Sequence, residues 1–141
     1  MDEKAVMDAL VQMKRIGNLL NELWDLTQQL GQAIDRNDQV STQMLIAMRE
    51  EPLGKLQATD QALREQLEAL SRQGGGGEGG GGAAALAAML NGGPPSDPAQ
   101  HAQTMLCEQV ASNHRRLKQV MDLDKALNQR LAREKSVYSS L

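Results

Sequence analysis

The residues able to do chemistry in this chain are few and scattered. His101 and His114 are the only histidines, and Cys107 is the only cysteine. On a helix Cys107 and His114 would stand two turns apart, about 10 Å along the axis, too far to share one zinc ion. No Glu-x-x-His pair of the kind that builds di-iron sites in helical bundles occurs. The glycine blocks at 74–77 and 79–82 lack the Lys-Ser/Thr ending and the preceding strand of a phosphate loop. A single cysteine excludes an intramolecular disulfide and reads as a small, buried or half-buried hydrophobe. No enzyme activity, cofactor or metal is therefore expected.

Binding chemistry is better represented. The cluster His114-Arg115-Arg116-Leu117-Lys118 is the one basic concentration. It reads first as a solvated helix face paired with an acidic partner segment, and second as a patch for an acidic protein. Nucleic acid is not expected, because stacking aromatics are missing: Phe is absent, and Trp24 and Tyr138 are single residues. Met44, Met48, Met89, Met105 and Met121 fill core gaps by default, and they also suit surfaces that adapt to apolar helices of other proteins. Trp24 reads as a core or interface filler.

The elements that must position these residues are helices. With almost no aromatics, a core must come from Leu, Met, Ile, Val and Ala, and the β-branched and aromatic clusters of a sheet are missing. An all-α fold follows. Val6, Leu10, Met13, Ile16, Leu20, Leu23, Thr27, Leu30 and Ile34 recur at three- and four-residue spacing, which predicts a first helix from about Asp2 to Ile34. Residues 35–38 form the break, with Asn37 or Asp38 suited to cap the next helix. That second helix carries Val40, Met44, Leu45 and Met48, is expected to kink or break near Glu51 ahead of Pro52, and resumes at Leu56, Leu63, Leu67 and Leu70.

Ten of the 13 glycines lie between 74 and 93. Residues 74–97 read as a flexible Gly/Pro-rich linker with a possible short helix at 83–90. Closing such a loop costs about 3 kcal/mol plus a constant, which one or two buried leucines offset. Asp97, Pro98 and Gln100 then predict a helix start, with Asp97 capping and Gln100 reaching back. Leu106, Val110, Asn113, Leu117, Val120, Asp124, Leu127, Leu131, Glu134 and Tyr138 continue it in heptad register. The expected architecture is one domain spanning 1–141: an elongated antiparallel bundle, coiled-coil-like, of three long helices with the second kinked and a Gly-rich insertion.

Residues 1–73 hold 8 Lys and Arg against 12 Asp and Glu, while 98–141 hold 7 against 4. Opposed charge favours packing of the two halves on each other and falls short of the dense basic stripe of a nucleic-acid binder. With no signal peptide and no apolar run near 18 residues, the chain reads as cytoplasmic and without membrane insertion.

This organisation resembles the flagellar export chaperones of the FlgN type. The matching features are the leucine-rich opening helix ending Thr27-Gln28-Gln29-Leu30, the break from Asp35 to Asp38, and a following helix with Arg49 and Leu53. The closing helix adds Asn113, Leu117 and Tyr138. The Gly-rich stretch and Pro94-Pro95 look like an insertion at a connection that varies in that family. The resemblance implies a type III secretion chaperone that masks the amphipathic helices of hook-filament junction (hook-associated) proteins before export and docks at the membrane export gate. Tyr138 would be the gate-docking residue. A client helix lying beside the last helix would meet Leu106, Val110, Leu117, Val120, Leu127 and Leu131. The competing reading is a structural coiled-coil homodimer or scaffold in which that helix pairs with its own copy.

Overall fold

Asp2 opens the first helix by accepting a hydrogen bond from the Lys4 amide (3.1 Å), and α1 runs from Glu3 to Asp35. The computed structural model describes residues 2–73 and 79–139, with side chains described for 2–73 and 82–130. It contains four helices and, among the described residues, no strand: α1 (Glu3–Asp35), α2 (Gln39–Gln73), α3 (Gly79–Leu90) and α4 (His101–Ser139). Among the described residues the fold is all-α: three long helices and a shorter fourth, α3, which replaces part of the expected 74–97 linker and starts at Gly79, earlier than the possible short helix at 83–90.

The break at 35–38 closes one helix and opens the next with the same residues. Asn37 adopts a left-handed conformation (φ 56°), the Asn37 amide donates to the Ile34 carbonyl, and the Asp38 amide donates to that of Ala33, both at 3.0 Å. These two bonds satisfy carbonyls the ending helix leaves free. Asp38 then caps α2: its carboxylate accepts from the Ser41 amide (3.0 Å) and the Ser41 hydroxyl (2.6 Å).

The Ser41 hydroxyl and amide hold the Asp38 carboxyl below its usual value against the opposing effect of burial, with a lesser contribution from the nearby Arg36 guanidinium. A depressed folded pKa contributes stability above the unfolded value, near 3.8, and that contribution fades as pH falls through the folded value. Acid titration followed by NMR should therefore show the Ser41 amide losing protection only below the ordinary Asp range. Asp38→Asn, which still caps, should flatten that dependence; an unchanged profile would show the cap does not depend on the charge.

The short break expected near Glu51 is absent, and α2 continues through Pro52. Pro52 is fully buried and lies on the same face as Leu45 and Leu63. Packing of that face on α1 holds the helix together across the missing amide. The start of the last helix also shifts. Asp97 accepts from the Ala99 amide (3.0 Å) in a turn, helix α4 begins only at His101, and Gln103, buried, accepts the Asp97 amide at 2.8 Å. Gln103, and not Gln100, reaches back to Asp97; Gln100 instead accepts from Gln103 (2.7 Å).

Helix directions follow from the long-range contacts. Asn113 donates to the Met13 carbonyl (2.8 Å), Arg116 to Asn21 (3.0 Å) and Arg130 to Asp35, so α1 and α4 run parallel. Gln66 donates to the Ala5 carbonyl (2.9 Å) while Leu45 clusters with Leu30 and Ile34, so α2 runs antiparallel to both. Near Asn113 the two parallel helices come close. A β-carbon at Gly17 would stand 2.7 Å from Gln109 Nε2 and 2.9 Å from Asn113 Oδ1, which explains a glycine inside a long helix.

Two cores result. One joins Val6, Leu10, Leu63, Leu86, Met89, Leu106 and Val110, drawn from all four helices. The other joins Leu26, Leu30, Ile34, Leu45 and Leu127, drawn from α1, α2 and α4. Beside the second, Thr27 is buried but bonded to its own helix at the Leu23 carbonyl (2.6 Å).

Candidate helix-docking groove

Helix α1 packs along both α2 and α4, whereas α2 and α4 scarcely approach each other directly. A groove therefore runs between α2 and α4, and its two halves differ. The half near Leu63, Leu67 and Leu106 is filled by α3, which packs against both walls. Ala83, Leu86 and Met89 are the buried side of α3, and the helix carries no charged residue. It begins with four glycines, each about 1 kcal/mol less favourable than alanine in a helix. Its end is sharply defined: Gly92 has φ 101°, the Gly93 amide donates to the Ala88 carbonyl (2.9 Å), and a β-carbon at Gly93 would stand 2.8 Å from that oxygen.

Gly92 lies against the His114 imidazole, whose Cε1 is 3.5 Å from where a β-carbon on Gly92 would stand. Beyond that point no helix among the described residues covers the seam, and apolar side chains on both of its walls are exposed. On α4, Leu117, Met121 and Asp124 share one face by four- and three-residue spacing; on α2, Ile46, Arg49 and Leu53 do the same. The Arg49 guanidinium reaches Asp124 (3.1 Å) and sets these faces side by side. Ile46, Leu53, Leu117 and Met121 are all more than 40% exposed, Met121 the most at 61%. A shallow hollow of about 450 Å³ indents α4 beside Met121 and Asn128.

Sequence spacing names six leucines and valines of α4 as a client face, and the structure divides them. Leu106 and Val110 are buried in one core and Leu127 in the other, and Val120 is buried as well, so these four are not free for a partner in this structure. The physical reason is the breadth of α1, whose stripe covers this side of α4. Leu117 is exposed at the groove edge. The side chains of Leu131 and Tyr138 lie outside the described residues. Ile46 and Met121 were not singled out as groove residues by periodicity; the signal that finds them is the complementary pair Arg49 and Asp124, each flanked by apolar residues at helical spacing.

The basic cluster is partly absorbed into the bundle. Arg116 stacks over Trp24 (5.3 Å to the ring centroid) and bonds to Asn21 and Gln119. A polar cleft of about 620 Å³ between α1 and α4 is lined by Lys14, Asn18, Asn21, Ser112, Arg115 and Gln119. Burial pushes the half-buried Cys107 thiol up from its ordinary value, away from thiolate reactivity. Among the described residues no group of three His, Cys, Asp or Glu side chains is placed to hold a metal, and no helix is long and apolar enough to cross a membrane.

A second exposed apolar stripe occupies the other flank of α2. Val40, Met44 and Met48 follow each other at four-residue spacing, with Val40 80% exposed. Comparison with known proteins finds no matching family model, curated protein or solved structure.

Proposed function

We propose that this chain is a cytoplasmic export chaperone of the flagellar, type III secretion kind, which holds an amphipathic client helix in the open half of the α2–α4 groove. One observation carries the reading: Ile46, Leu53, Leu117 and Met121, on flanks of α2 and α4 that the Arg49–Asp124 pair sets side by side, are exposed, while the same two helices elsewhere hold α3 between them. A groove of this form takes a partner by apolar anchors at helical spacing. In this reading the scaffold is an elongated antiparallel bundle of three long helices, the second bent at Pro52, with α3 belonging to the inserted segment. The clients are helices of hook-filament junction proteins, Tyr138 docks at the export gate, and neither nucleic acid nor membrane insertion is involved.

The test uses calorimetry with a synthetic peptide spanning a terminal amphipathic helix of a hook-filament junction protein. Wild-type protein binds it with a negative heat-capacity change. Leu117→Asp combined with Met121→Asp weakens binding by about tenfold or more, with helicity unchanged by circular dichroism. Failure of the wild type to bind rejects the chaperone reading.

The Val40–Met44–Met48 stripe favours a second reading, a homodimeric scaffold. It requires a dimer in sedimentation that Met44→Lys with Met48→Lys converts to monomer; a monomeric wild type at all concentrations removes it.

A further inference from the structure

We infer that α3 is a displaceable, in-cis occupant of the helix-binding groove, and that the partner able to use the groove's full length is an uncharged, alanine-rich helix carrying Leu and Met three residues apart. This rests on the groove being the binding site proposed above. The occupied and open halves form one surface. Helix α3 stops at Gly92 against His114, and the next exposed apolar residue along that wall of α4 is Leu117, one turn further on. A longer helix entering from the open half therefore meets the end of α3 and cannot advance unless α3 leaves.

Helix α3 is built to leave. It is the shortest of the four, its first turn is glycine, and Leu86 and Met89 are its only large side chains that are fully buried. The long helices, by contrast, are held to α1 along their lengths. The lowest-stability segment of a domain opens first and independently. What α3 presents to the groove also specifies its replacement: Ala83, Leu86 and Met89 lie three residues apart, set among small residues that let the backbone approach both walls. A partner with bulky or charged residues between its anchors would not seat at that depth.

Hydrogen exchange on the intact chain tests this without any client. Amides of 83–90 should exchange about 100-fold faster than those around Leu10 and Leu106. In the full chain carrying Leu86→Asp and Met89→Asp, protection at 83–90 should vanish while α1, α2 and α4 keep theirs. A synthetic peptide of residues 79–91, added in trans, should bind that variant about tenfold more tightly than wild type, because the competing segment is gone. Equal exchange rates at 83–90 and Leu106, collapse of α4 protection in the variant, or peptide affinity unchanged between the two proteins would each overturn the inference. A protein that opens α3 and takes the peptide but binds no junction-protein helix would retire the proposed function and leave this inference standing.

Discussion

Leu106→Ala lowers stability by about 2–5 kcal/mol, the cost of a cavity in a packed interior, because Leu106 is completely buried where all four helices meet. Leu117→Ala, on the same helix at the groove edge, costs less than about 1 kcal/mol. Urea unfolding measures both, with the midpoint shifting and the slope unchanged if the native and denatured states keep their compactness. The contrast separates the two roles that heptad spacing assigns alike to these residues. If Leu106→Ala proved as mild as Leu117→Ala, α4 would not be packed as described, and Leu106 would return as a candidate contact for a partner.

The second large effect centres on Arg49. Its side chain is only 12% exposed, its Nε is buried without a hydrogen-bond partner, and its ion pair with Asp124 compensates the charge. Asp124→Ala leaves that charge unpaired. Loss of a partner from a fully buried pair costs about 3–5 kcal/mol, but the Asp124 side chain is 37% exposed, so screening reduces the expected loss to about 1–3 kcal/mol. Arg49→Met with Asp124→Leu should recover to within about 1 kcal/mol of wild type, since an apolar pair needs no compensation. A double-mutant cycle measures the coupling. Equal losses in the single and double variants would show that the pair is a surface contact. The apolar double variant also widens the greasy wall of the open groove, and it should hold a helical partner more tightly.

Much of the fold is legible in the residues themselves. The stripe from Val6 to Ile34 marks α1, and the Asp35-Arg36-Asn37-Asp38 break is read correctly because both the αL residue and the cap are local chemistry. The break expected at Pro52 does not occur, because the cost of the proline is local while the packing that holds α2 together is not: Leu45 and Leu63 lie far along the helix and are fixed by α1. Asp97 and Pro98 do mark the approach to α4, but the reciprocal bond comes from Gln103, a choice made by burial that no spacing rule encodes.

The groove was less legible for a different reason. A heptad stripe states which residues share a face, and not which neighbour covers it. Leu106, Val110, Leu117, Val120 and Leu127 belong to one stripe, and the width of α1 decides that Leu117 alone among them stays at the edge. The packing of α3 depends on Leu86 and Met89 finding Leu63 and Leu106, contacts distant in sequence.

The unequal number of helices at the two ends gives the protein a polarity of toughness. Four strands of the cable are braided at the Leu10–Leu106 end and three at the Leu30–Leu127 end. Heat should release α3 first, and only while α3 stays in place does the thick end outlast the thin one.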